Sequence, residues 1–115
     1  MRRLLVAVTG AALVCAAPVS AAPSKKSVRV GDNFFAPKSL TVDRGSTVTW
    51  KWPAADEAGD VHDVALTSGP KGVKKFASEA AATDYSYKRK LTKSGTYKLV
   101  CTLHEEMRMT IRVRR

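Results

Sequence analysis

Over most of this chain β-branched and aromatic residues fall at every second position, and glycine, proline, serine and aspartate break the runs at short intervals. A period of two places side chains on one face of a strand, and it does not fit a helix, whose apolar face recurs every 3.6 residues. Val28 and Val30 share one parity, as do Leu40 and Val42, then Val48, Trp50 and Trp52. The same holds for His62, Val64 and Leu66, for Tyr85 and Tyr87, and for Tyr97, Leu99 and Cys101. Met109, Ile111 and Val113 alternate with Thr110, Arg112 and Arg114, the pattern of a strand with one wet face. Asp43-Arg44-Gly45-Ser46, Ser68-Gly69-Pro70 and Ser94-Gly95 read as turns. Residues 53–60 read as a polar loop, and 71–84 as a loop whose only helical hint lies over 77–82. The expectation is an all-β chain of about seven or eight short strands in a two-sheet sandwich, since two sheets bury each other's apolar faces and one sheet cannot.

The beginning of the chain follows a different rule. Arg2 and Arg3, an apolar stretch over residues 4–17 and the small-residue site Val19-Ser20-Ala21 compose a secretory signal. The expected organisation is a cleaved signal over 1–21, a short polar lead over 22–26 and one domain over 27–115. The apolar stretch is shorter than the ~20 residues that span a bilayer, and Thr9 and Gly10 interrupt it. Export to a periplasmic or extracellular space, without stable membrane insertion, is therefore expected. Cys15 follows Leu13 and Val14 rather than the small residue that lipid-attachment cysteines prefer, which argues against lipidation. Losing Arg2 and Arg3 takes the 20 basic residues to 18 against 10 acidic ones, so the formal charge falls from +10 to +8. Such a balance attracts partners with acidic surfaces. No basic helix with interleaved aromatics supports nucleic-acid binding. A monomer is the default for a sandwich of this size.

Signal cleavage leaves Cys101 as the one cysteine in an oxidising compartment, so no disulfide forms within the chain. A lone thiol there is a liability unless it is buried, cross-linked between chains or held as a thiolate by a metal. Cys101-Thr102-Leu103-His104-Glu105-Glu106-Met107 leaves a strand with a thiol, an imidazole and a thioether at three-residue intervals. His62 arrives from a distant strand end, and its parity with Val64 and Leu66 turns it inward. Two imidazoles, one thiolate and one thioether are the donor set of electron-transfer copper sites. Thiolate and thioether stabilise Cu(I), imidazole serves both oxidation states, and a stiff scaffold keeps rearrangement small. Taken singly, each residue also has a plain structural role: Cys101 as a small buried hydrophobe, His104 as a solvated loop residue, Met107 or Met109 as core filler. The conjunction favours the metal site, because four of the five mature His, Cys and Met residues fit one template. Trp50 and Trp52 are read as core rather than as electron relays, and Tyr97 likewise.

Cys101-x-x-His104-x-x-Met107, preceded by Gly95-Thr96-Tyr97, resembles the ligand loop of the plastocyanin, amicyanin and pseudoazurin group, the cupredoxins. Asn33-x-Phe35-x-Pro37-x-x-Leu40-x-Val42-x-x-Gly45-x-x-Val48-x-Trp50 is similar to the opening strands of that family, and His62-Asp63-Val64 to its first-histidine strand. The resemblance spans the mature chain. It implies a Greek-key sandwich and one mononuclear Cu(I)/Cu(II) ion held by His62, Cys101, His104 and Met107. The short spacing from His104 to the methionine is most like the amicyanin type and favours Met107 over Met109. The sequence departs from the family at Asp63, where relatives often carry an asparagine that braces the cysteine loop. It departs also at Leu103, where proline is frequent, at Glu105 and Glu106, where apolar residues or proline are common, and at Met109, where glycine is usual. The resemblance implies that His104 is the exposed edge through which electrons pass, here with two glutamates beside it.

The expected function is one-electron carriage between redox proteins, without catalysis. A copper storage or delivery protein handing metal to acceptor proteins would use the same four ligands. Zinc could draw on Asp63, Glu105 or Glu106 in place of methionine. A thiol enzyme built on Cys101 with His62 or His104 is disfavoured, because the loop offers no obvious oxyanion donors.

Overall fold

Residues 22–115, together with Gly10, are described by the computed structural model; the expected signal segment, with its cleavage site and Cys15, lies outside the described residues. Eight strands form: β1 (Lys25–Gly31), β2 (Phe34–Ala36), β3 (Ser39–Asp43), β4 (Ser46–Lys51), β5 (Ala65–Ser68), β6 (Ser86–Leu91), β7 (Gly95–Cys101) and β8 (His104–Arg114). They make two four-stranded sheets, ordered β2-β1-β4-β6 and β3-β8-β7-β5. Each sheet holds one parallel pair, β1 with β4 and β3 with β8, among antiparallel neighbours. From β2 to β7 every connection crosses from one sheet to the other. The expected all-β sandwich is what forms, and the segment over 71–84 is a loop, its helical hint not realised.

The alternation explains the core. Val28, Val30, Phe35, Val48, Trp50 and Leu91 face inward from the first sheet, and Val42, Leu66, Tyr97, Leu99, Met109, Ile111 and Val113 from the second. Val28 lies opposite Trp50 in the β1–β4 register, and Tyr97 opposite Ile111 in the β7–β8 register. The indole N–H of Trp50 donates to the Met109 sulfur at 3.3 Å, a polar contact between the sheets inside the core. The Tyr97 hydroxyl donates to the Lys93 carbonyl at 2.6 Å, so this buried ring keeps its polar end satisfied. The reading of both tryptophans and Tyr97 as core residues agrees with their burial.

Local chemistry sets the strand ends. Gly45 takes φ 90° in the turn between β3 and β4, a conformation that L side chains adopt only with strain. Lys25 and Lys26, which composition assigns to the lead, already belong to β1 and pair with Thr47 and Val48 of β4. The polar loop after β4 contains a single 3-10 turn, Ala55–Glu57, and no described helix is long and apolar enough to cross a membrane.

Ile111 is fully buried at the centre of β8, so Ile111→Ala should cost about 2–5 kcal/mol. Leu103→Ala, at an exposed position, should stay within about 0.5 kcal/mol. Urea unfolding of the two variants in metal-free form would check the contrast.

Candidate metal centre

A regular strand places residues three apart on opposite faces, so His104 and Met107 could not both turn inward from a straight β8. The register resolves the conflict. Val100 pairs with Arg108 but the next residue, Cys101, pairs with His104, so Glu105, Glu106 and Met107 bulge out of the ladder. An odd number of extra residues inverts the parity. His104 then faces the site from one side of the bulge, while Met107, Met109, Ile111 and Val113 keep the buried parity on the other. Thr102 and Leu103 alone link β7 to β8, which holds Cys101 and His104 across the hairpin from one another.

His62 precedes β5 and is fixed by its backbone. Its N–H donates to the Ala81 carbonyl at 2.9 Å, and its carbonyl accepts from the Ala81 N–H at 3.0 Å and from the Trp52 indole at 3.1 Å. The next residue, Asp63, is buried and ties the two halves of the site together. Its carboxylate accepts the Thr102 backbone N–H at 2.7 Å and the Thr102 hydroxyl at 2.5 Å. The brace left open by an aspartate at this position is therefore present, made to the residue that follows Cys101.

His62, Cys101 and His104 converge, with one donor atom from each lying within 4.8 Å of the others. The two imidazoles meet Nδ1 to Nδ1 at 3.2 Å, and the Cys101 sulfur lies 3.8 Å from Nδ1 of His62 and 3.6 Å from Nδ1 of His104. Metal bonds of about 2.0–2.1 Å to nitrogen and about 2.3 Å to sulfur can close all three gaps around one ion. Cys101 and His62 are buried and His104 is half-buried. Met107 is buried on the bulge. Met109 uses its sulfur as the acceptor for Trp50, which leaves Met107 as the thioether free for the site.

Both imidazoles turn their other nitrogen toward a carboxylate. Nε2 of His62 lies 3.1 Å from Oδ1 of Asp32, and Nε2 of His104 lies 3.7 Å from Oδ2 of Asp60. The Asp60 backbone N–H also donates to Oδ1 of Asp32 at 3.1 Å. That N–H, more than the His62 ring beside it, holds the Asp32 carboxyl below the usual carboxylate range. A carboxylate oxygen only accepts, so in the neutral ring Nε2 of His62 carries the proton and its Nδ1 presents a lone pair toward the sulfur and the His104 ring, an arrangement that suits a cation there. Sequence reasoning did not single out Asp32 or Asp60: both sit in loops, where an aspartate carries no periodic signal.

Leu103 and Val61 are the exposed large hydrophobic residues among those described, and they adjoin His104 and His62 in sequence. Glu105 and Glu106 are exposed, as the sequence suggests. A groove of about 490 Å³ between β1 and the 53–60 loop reaches His62 on its Asp32 side, but neither Cys101 nor His104 lines it.

The family described as copper binding proteins, plastocyanin/azurin family, matches residues 22–114. A reduced amicyanin variant shares 27% identity over 78% of this chain and 82% of its own, with a TM-score of 0.67. Amicyanin from Paracoccus versutus shares 25% over 86% of each chain, with a TM-score of 0.65. A Cu-containing nitrite reductase from Thermus scotoductus SA-01 shares 26% over 82% of this chain but only 23% of its own, with a TM-score of 0.63. No curated protein sequence gives a significant match.

Asp63→Ala should leave the Thr102 N–H without its acceptor and loosen the ligand hairpin. Copper affinity, read by chelator competition, should fall by about 10–100-fold. Asp63→Asn, whose amide oxygen can still accept one of the two hydrogen bonds, should lose less.

Proposed function

The chain belongs to the copper-binding plastocyanin/azurin family, and from that premise we propose that it is an exported carrier of single electrons between redox proteins. Its cofactor is one copper ion, for which we assign His62, Cys101, His104 and Met107 as the ligands. The observation that carries this reading is the convergence of two Nδ1 atoms and one sulfur at the end of a two-sheet sandwich.

Copper, when bound, supplies the one-electron couple. Each remaining task falls to a residue of the chain. His62 and His104 offer Nδ1, a donor suited to both oxidation states, and the Cys101 thiolate and Met107 thioether favour the reduced one. Asp63 and the Ala81 bridge hold the first histidine and the cysteine hairpin at fixed separation, so the donors need not rearrange as charge changes. His104 is the half-buried ligand. With exposed Leu103 beside it, it offers an edge that a partner can cover while excluding water. The groove near His62 does not open on the sulfur, which supports carriage rather than turnover of a bound substrate. The signal-like start, which lies outside the described residues, supports an address beyond the inner membrane, and the basic body supports partners with acidic surfaces.

One equivalent of Cu(II) added to the mature protein should give an intense blue band from thiolate-to-copper charge transfer. The band should bleach with ascorbate and return on reoxidation. Cys101→Ser should abolish both colour and tight binding; a blue band surviving in that variant would sink the assignment. A colourless wild-type product would point instead to metal storage or delivery. Met107→Leu should shift the reduction potential, whereas Met109→Leu, at the sulfur already engaged by Trp50, should leave it nearly unchanged.

A further inference from the structure

The ring of His62 is held at both ends, and the end facing away from the cysteine is held by a charge. Oδ1 of Asp32 lies 3.1 Å from Nε2 of His62 and accepts the Asp60 N–H at 3.1 Å, so one carboxylate oxygen is shared by a backbone donor and an imidazole donor. Asp32 sits in the turn after β1, next to Asn33, which takes φ 66°, a left-handed conformation that asparagine tolerates better than most residues. The chain also makes room for it. A Cβ at Gly59 would lie 2.7 Å from Cγ of Asp32 and 2.8 Å from Oδ1, closer than real Cβ contacts allow. Glycine at this position lets the 53–60 loop close over the carboxylate without pushing it aside.

His104 has no equal counterpart. Asp60 stands 3.7 Å from its Nε2, beyond hydrogen-bond range, and 69% of the Asp60 side chain is exposed. The two ligand imidazoles therefore differ, one paired with a carboxylate and the other open to a partner.

We propose that Asp32 is a positioning residue of the copper centre. Its carboxylate accepts the Nε2–H of His62 and fixes the tautomer whose Nδ1 lone pair is free for the metal. As a negative charge one ring away, it favours Cu(II) over Cu(I) and holds the reduction potential down. The physical basis is general: a carboxylate on the far nitrogen of a ligating histidine fixes ring orientation and raises ligand basicity. A more basic ligand and a nearby anion both stabilise the higher oxidation state. The Asp32 side chain is 55% exposed, so solvent moderates the effect without removing it.

The proposal rests on the copper reading for its redox consequence, whereas the tautomer can be read without metal. In the copper-loaded protein, Asp32→Asn should keep the blue band and raise the Cu(I):Cu(II) ratio at a fixed applied potential by about three- to tenfold. A tenfold change is about 59 mV for a one-electron couple. Gly59→Ala, which displaces the carboxylate without altering any charge, should move the potential in the same direction. Asp43→Asn is the control. Asp43 pairs with Arg114 at the far end of β8, beside the start of β7 and about 20 Å from Cys101 at strand rise, and its loss should leave the potential unchanged. A shift in Asp32→Asn no larger than in Asp43→Asn, or a shift downward, would overturn the proposal.

Nitrogen-15 spectra of the metal-free proteins provide the second readout, and it applies to any variant that fails to hold copper. His62 should be the Nε2–H tautomer in the wild type and a mixture in Asp32→Ala, which leaves Nε2 without an acceptor, whereas the amide oxygen of Asp32→Asn can still accept; the tautomer is therefore read in Asp32→Ala. An unchanged His62 spectrum in that variant overturns the pairing. A wild type that never turns blue would overturn the electron-carrier reading alone, because the tautomer shift would still be measured.

Discussion

Two imidazole nitrogens held 3.2 Å apart, with a sulfur 3.6 and 3.8 Å away, are what the surrounding structure has to sustain. In a flexible loop these side chains would swing apart toward water. Here they cannot. The His62 backbone is pinned by two bonds to Ala81 and one from Trp52, Cys101 and His104 are locked across a two-residue hairpin, and Asp63 joins the two pieces through Thr102. The cost of holding the donors together is met by the folding of the whole sandwich rather than at the moment a metal arrives. The same rigidity would suit the proposed one-electron chemistry, since donors already fixed have little left to reorganise.

The sandwich was readable because every strand has one buried face, and burying one face writes a period of two into the sequence. His62 and Cys101 were readable for the same reason: they occupy inward positions in otherwise apolar sets, so their polarity stood out. His104 and Met107 were not placed by periodicity, because the bulge that brings both inward breaks the alternation it would have relied on. They were singled out by donor chemistry and resemblance. The partner of Met109 was hidden from any local pattern, since Trp50 lies 59 positions away in the chain and meets it only when the two sheets close. Asp32 and Asp60 left no trace at all. A loop aspartate looks the same in sequence whether it faces water or an imidazole, and for Asp32 only the closure of the 53–60 loop over it, at Gly59, distinguishes the two.

Charge is distributed unevenly over the fold. Basic residues outnumber acidic ones two to one, yet the groups nearest the ligands are carboxylates: Asp32 against His62, Asp63 behind Thr102, Asp60 beside His104, and Glu105 and Glu106 exposed on the bulge. Lysine and arginine do not adjoin His62, Cys101 or His104 in sequence, although Arg108 follows Met107. A long-range attraction set by the net charge would therefore bring acidic partners toward the body, while the carboxylates beside His62 and His104 act at short range. The two act on different length scales, because salt screens the first within about 10 Å at moderate ionic strength and leaves contact pairs largely intact.

That separation bears on which ligand can serve as the outlet. His62 is buried and its distal nitrogen is occupied by Asp32, so a partner approaching from that side would meet a fixed anion and the wall of the groove. The distal nitrogen of His104 is more loosely accompanied, and the ring lies next to exposed Leu103 on the hairpin tip. Apolar contact there needs no counter-charge and releases water from both surfaces. The asymmetry between the two histidines thus follows from loop closure on one side and its absence on the other, and under the proposed function it divides the work: His62 would adjust the electronic environment, and His104 would face the partner.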